Sequence, residues 1–115
     1  SHHAAGKYSE SDKKAGWWDD FIGDGKAVDT TKYFVISTNV IGSCFGSTSP
    51  LHPLHLGSTQ RYGLKFPVIT IKDMVKAQKI LLDSLGINHL KAIIGGSMGG
   101  MQALRFAVEY PNFAD

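Results

Sequence analysis

Ile93-Ile94-Gly95-Gly96-Ser97-Met98-Gly99-Gly100 carries an apolar run into a Gly-x-Ser-x-Gly turn and on through Met101-Gln102-Ala103-Leu104. The order is strand, tight turn, helix, with a serine at the apex. A serine there takes strained backbone dihedrals and its neighbours must be very small, the role read here for Gly95 and Gly99, with Gly96 and Gly100 completing the elbow. Because the helix begins directly after the serine, the Met98 N–H falls among the amides left unpaired at a helix N-terminus and is directed to where an oxyanion would develop. Ser97 is the candidate nucleophile, and Met98 supplies half of its oxyanion hole.

Two nucleotide-binding readings of the same glycines fail. A dinucleotide fingerprint needs Gly-x-Gly-x-x-Gly, and the frame starting at Gly95 puts Ser97 where the middle glycine must admit a pyrophosphate. Its acidic partner, about 20 positions further on, would fall beyond Asp115. A phosphate loop needs Gly-Lys-Ser/Thr at its end, whereas Gly100 is followed by Met101-Gln102.

Composition bounds the rest. With 115 residues, 43% of them hydrophobic and 19% charged, the chain suits one small globular domain and neither a disordered nor a membrane-spanning segment. The formal net charge is +2, with Lys72, Lys76, Lys79 and Lys91 scattered rather than massed, so no nucleic-acid partner is expected. The single cysteine, Cys44, has no internal disulfide partner, and no signal-peptide pattern opens the chain. A cytoplasmic enzyme is expected. Ser1 is not an initiator methionine, and the chain stops soon after a helix that should lead into another strand. The expectation is therefore an internal piece of a longer polypeptide, with His2-His3 native sequence rather than a tag remnant.

In chain order, residues 1–14 are polar and small, as in a surface loop. Gly16-Trp17-Trp18-Asp19-Asp20-Phe21-Ile22-Gly23 reads as a short helix or turn pressing Trp17 or Trp18 and Phe21 onto the domain, with ligand stacking on the tryptophans as the alternative. Gly25 to Thr30 reads as a turn. Tyr33-Phe34-Val35-Ile36-Ser37-Thr38 lacks polar alternation and is expected to be a strand buried on both faces. Residues 39–67 form a long loop rich in glycine and proline, leaving the carboxyl end of that strand, where open α/β sheets put their ligand crevices. Cys44, His52 and His55 share this loop without metal-ligand spacing, so no metal is expected. Thr70-Ile71-Lys72-Asp73 resembles a capping box opening a helix whose apolar face is Ile71, Met74, Val75, Leu81, Leu82 and Leu85 and whose polar face carries Lys72, Lys76, Lys79 and Asp83. Gly86 should cap its end; a second buried strand at 90–94 and a helix over 98–110, stopped by Pro111, complete a parallel sheet with crossover helices.

These features resemble the middle of an α/β-hydrolase fold and, within it, the homoserine O-acetyltransferase family. The stretches that carry the likeness are Gly16-Trp17-Trp18-Asp19, the run from Ile22 to Thr30, Tyr33-Phe34-Val35-Ile36, Asn39-Val40-Ile41-Gly42 with Cys44 and Gly46-Ser47-Thr48, Tyr62-Gly63, Phe66-Pro67, Ile71-Lys72-Asp73-Met74-Val75, and the elbow from Gly95 to Leu104. The likeness implies a partial α/β-hydrolase domain over residues 1–115, the N-terminal half of a catalytic domain without its flanks. It also implies that Ser97 attacks the thioester of acetyl-CoA and that the resulting acyl-serine passes its acetyl group to L-homoserine, for methionine biosynthesis. No bound cofactor is implied, acetyl-CoA being a co-substrate, and the full-length enzyme is expected to be a homodimer.

The second oxyanion donor is expected upstream of Ser1 and the triad histidine and aspartate downstream of Asp115. None of His2, His3, His52, His55 or His89 is then the base, and the chain alone is expected to be inactive. Departures from the family pattern at Asp24, Ser43, Ser49 and 51–60 bear on the acyl donor, and family members differ in using acetyl-CoA or succinyl-CoA and homoserine or serine. The elbow, shared by both chemistries, leaves an esterase of the same fold as a further alternative.

Overall fold

A computed structural model describes residues 3–115; Ser1 and His2, and with them the expectation for His2, lie outside the described residues. The chain divides into two compact units, Ser1–Asn39 and Val40–Asp115.

The first unit is built from turns. Strands β1 (Ile22–Gly23) and β2 (Val28–Asp29) are two residues each and pair in parallel, Ile22 with Val28 and Gly23 with Asp29. The turn expected between them is therefore flanked by a minimal ladder. Asp29 holds it shut: Oδ1 accepts from Thr31 Oγ1 at 2.8 Å, Thr31 N at 3.0 Å and Gly25 N at 3.3 Å, and Oδ2 pairs with Lys32 at 3.2 Å. The Thr31 hydroxyl and amide hold the Asp29 carboxyl below its ordinary value, because they bond its charged form. The aromatic cluster is a turn in which Trp18 meets Trp17 and Phe21 edge-on at 5.2 and 6.0 Å. Trp18 is half-buried, but Trp17 stays 73% exposed. Gly16 is forced by crowding, since a Cβ there would lie 2.3 Å from the His3 carbonyl oxygen.

The second unit contains helices α1 (Ile71–Ser84) and α2 (Met98–Glu109), which pack on each other. At the start of α1, Thr70 Oγ1 accepts from Asp73 N at 3.2 Å while Asp73 Oδ2 accepts from Thr70 N at 2.9 Å, a capping box closed by aspartate in place of the longer glutamate. Its end is a Schellman turn: Gly86 takes φ +71°, Gly86 N donates to Asp83 O at 3.0 Å and Ile87 N to Leu82 O at 2.9 Å. Val75, Leu82 and Phe106 are the buried apolar residues, and Phe106 also meets the rings of Tyr110 and Phe113 at 5.0 and 5.7 Å. Lys79, expected on the solvated face, instead lies over Phe113 and Tyr110, 4.8 and 5.5 Å from the ring centres, while bonding Asp83 at 2.6 Å. The ammonium thus meets the negative faces of the two rings and keeps a carboxylate partner.

The strands expected at 33–38 and 90–94 are not laddered among the described residues. Residues 33–38 form no ladder, and Phe34 is 82% exposed. In 90–94, Leu90 forms a parallel bridge to Ala114 made by Leu90 N to Phe113 O at 2.8 Å and Asp115 N to Leu90 O at 3.2 Å. A strand exists only through its neighbour's hydrogen bonds, and these residues offer the two segments no neighbour of matching length. The long loop supplies its own order. Gly42 N donates to Thr48 O, Leu54 N to Gln60 O, Tyr62 N to His52 O and Gly63 N to Pro50 O, all between 2.7 and 3.0 Å.

Candidate active site

Among the described residues, the elbow is the one place where a residue with a side chain takes a positive φ. Ser97 has φ +52° and ψ −122°, and among the described residues it is the single non-glycine with positive φ. Holding it there costs on the order of 1–3 kcal/mol, so the surrounding backbone must dictate the turn. Two contacts do so: Gly99 N donates to Gly96 O at 2.9 Å, and Met101 N donates to Ser97 O at 3.2 Å, opening α2. The Met98 N–H, between them in sequence, has no acceptor among the described residues. Ser97 is exposed and its side chain makes no capping bond, so its hydroxyl is left accessible at the positive end of a helix.

The glycines divide by role. A Cβ on Gly95 would sit 2.3 Å from both C and O of Gly99 and 2.8 Å from Gly100 N, so main chain runs against main chain there. A Cβ on Gly100 would meet Gly95 O at 3.2 Å. At Gly99 a Cβ would meet nothing within 4 Å among the described residues, so the steric requirement read for both flanking glycines holds at Gly95 alone. Gly99 contributes its own carbonyl as the surface Gly95 must clear.

No described histidine hydrogen-bonds Ser97. His52 Nδ1 accepts from Ser49 N at 3.1 Å, His55 Nδ1 contacts Leu56 O at 3.2 Å, and His3 stacks on Tyr8 at 5.0 Å. His89 Nε2 donates to Asp115 Oδ1 at 2.7 Å, beside Lys91 Nζ on Oδ2 at 2.6 Å. Lys91 foremost, with His89, holds the Asp115 carboxyl below its ordinary value. His89 precedes the 90–94 segment whose other end leads into the elbow, so this acid–histidine pair stands at the wrong end to serve Ser97. Cys44 is a free, exposed thiol, and among the described residues no group of three potential metal ligands occurs. No helix of the described residues is long and apolar enough to cross a membrane.

The sequence reading missed a pair of linked amides behind the elbow, Gln102 buried and Gln78 half-buried. Gln78 Nε2 on α1 donates to Gln102 Oε1 on α2 at 2.6 Å, and Gln102 Nε2 donates to Met98 O at 3.4 Å. Their spacing carried the signal, for Gln78 falls between Val75 and Leu82 on the buried stripe of α1, and Gln102 lies one turn before Phe106 on that of α2.

A family model described as alpha/beta hydrolase fold matches residues 2–115. The chain is 80% identical over its whole length to a protein of Nautilia profundicola named homoserine O-acetyltransferase, and spans 31% of that protein. Among solved structures it superposes on a crystal structure of esterase E22 with TM-score 0.89 at 46% identity, covering 97% of this chain and 32% of that one. It superposes on the crystal structure of homoserine O-acetyltransferase from Bacillus anthracis with TM-score 0.81 at 42% identity, covering 95% and 31%. The chain thus spans about a third of the length of the proteins it matches.

Proposed function

The chain belongs to the alpha/beta hydrolase fold family, and from that premise we propose that Ser97 is the nucleophile of an acyltransferase that moves an acetyl group from acetyl-CoA to L-homoserine. The observation that carries the reading is the backbone of Ser97 at the head of α2, φ +52° with an unbonded Met98 N–H beside it. In the first step Ser97 Oγ attacks the thioester carbon, its proton passes to a base, and the carbon–sulfur bond breaks to give acyl-serine and the CoA thiol. In the second the homoserine hydroxyl attacks the acyl-serine, the proton returns to Oγ, and the O-acetyl ester leaves. Each step puts negative charge on the carbonyl oxygen, which the Met98 N–H is oriented to receive. The base, its acidic partner and the second oxyanion donor are assigned to residues outside this chain. The same reading takes the whole enzyme as a cytoplasmic homodimer serving methionine biosynthesis, with no bound cofactor.

The name carried by the 80% identical relative supports transfer to homoserine. A second reading, ester hydrolysis, is favoured by the superposition on esterase E22, since both chemistries use one elbow. Full-length protein given acetyl-CoA with and without homoserine separates them. Transfer predicts thiol release coupled to O-acetylhomoserine, and hydrolysis predicts thiol release and free acetate regardless of acceptor. Ser97→Ala should cut either activity by several orders of magnitude, and near-normal turnover in that variant would sink both readings.

A further inference from the structure

The first turn of α2 is built to be weak. It begins at Met98-Gly99-Gly100, and consecutive glycines are poor helix formers because their backbones lose the most freedom on ordering. Ser97 gives it no side-chain cap, and no acidic residue stands in the turn. Helix α1, by contrast, opens on a complete capping box. Yet the Met98 N–H must keep one direction if it is to meet a developing oxyanion, because preorganisation is what makes such a donor effective.

We infer that Gln102, together with Gln78, is a positioning residue for the elbow: its buried amide ties the first turn of α2 to α1 and so fixes the direction of the Met98 N–H. The inference rests on the reading of Ser97 as nucleophile. Gln102 is 7% exposed and spends both ends of its amide, accepting from Gln78 Nε2 at 2.6 Å and donating to Met98 O at 3.4 Å. Only one orientation of the amide serves both partners, since Met98 O can only accept. The Met98 carbonyl lies in the peptide plane after its Cα and the Met98 N–H in the plane before it. Holding the first restrains the second through the two dihedrals of Met98, while Ser97 O, in the plane of that N–H, accepts from Met101 N at 3.2 Å. The anchor is firm, for α1 is capped at both ends. Gln102 touches no reacting atom. It acts through Met98.

The test uses full-length protein and an alkyl fluorophosphonate, whose phosphorus is attacked by Ser97 Oγ with loss of fluoride. Labelling reads nucleophile and oxyanion hole without needing the natural acceptor. Gln102→Met keeps the length of the side chain and removes both hydrogen bonds. It should lower the limiting labelling rate about tenfold and leave the half-saturating probe concentration unchanged. Gln78→Leu, which removes the link to α1 while Gln102 keeps its bond to Met98 O, should lower it about threefold. The double variant should be no slower than Gln102→Met, because both act through one link. Lys72→Ala, which removes a surface ion pair to Glu109 on α2 away from the elbow, should label at the wild-type rate. If Gln102→Met does not fold, Gln78→Leu carries the test. A folded Gln102→Met or Gln78→Leu with the wild-type limiting rate, or with a change in half-saturation alone, would overturn the positioning role. A wild-type protein that is not labelled at Ser97 would overturn the nucleophile reading and this inference with it.

Discussion

Gly95→Ala adds one carbon where main chain already lies. The new Cβ would be 2.3 Å from Gly99 C and O and 2.8 Å from Gly100 N, whereas non-bonded carbons rest at about 3.5 Å, so the two segments must part by roughly 1 Å. No rotamer can relieve this, because every atom involved is backbone. Overpacking costs about 1–3 kcal/mol, and a clash of main chain with main chain belongs at the upper end, about 3 kcal/mol. A displacement of about 1 Å at the elbow should also slow chemistry at Ser97 by about 100-fold. Gly99→Ala is the internal control. Its Cβ meets nothing among the described residues, its φ is not positive, and alanine is the better helix former by about 1 kcal/mol. Urea unfolding of full-length protein should therefore show a lowered midpoint for Gly95→Ala and an unchanged or raised one for Gly99→Ala. Equal destabilisation by the two alanines, or a Gly95→Ala as stable as wild type, would refute the assignment of steric need to Gly95 alone.

Thr70→Ala removes the capping box of α1 and should cost about 1 kcal/mol in thermal or urea unfolding, with Thr70→Ser recovering most of it. Acid should weaken the fold. Asp29 and Asp73 have carboxyls held below their ordinary value by hydrogen bonds from Thr31 and Thr70, so their stabilisation is complete above a pH of about 3.9 and is lost as the pH falls through the depressed folded values. Urea midpoints followed against pH should show this decline, Asp29→Asn should flatten part of it, and stability that rises on acidification through that range would contradict the sign. Finally, the 115-residue chain by itself should release no thiol from acetyl-CoA above background, for no described histidine bonds Ser97; turnover by this piece would place the base within it.

What could be read from the sequence was what is settled locally. The Thr70–Asp73 box, the Gly86 cap and the start of α2 directly after Ser97 each depend on a few adjacent residues, and the structure has all three. The strands at 33–38 and 90–94 could not be settled that way. Their β-branched and aromatic residues report suitability for burial, but a ladder is a property of two segments. The Gln78–Gln102 link was legible only as two polar residues on apolar stripes, and helical periodicity alone reads those as interruptions. Lys79 was assigned to solvent because position predicts where a Cβ points, not where a four-carbon stem can lead its ammonium.

The most direct test of Ser97 as an acyl-carrying nucleophile is to mix full-length protein with acetyl-CoA without acceptor, quench, digest and locate the acetyl group by mass spectrometry. The adduct is predicted on the peptide containing Ser97, absent from Ser97→Ala, and discharged by L-homoserine with formation of O-acetylhomoserine. Transfer that proceeds with no adduct at Ser97, or an acetyl group carried instead by Cys44 or another side chain, would contradict it.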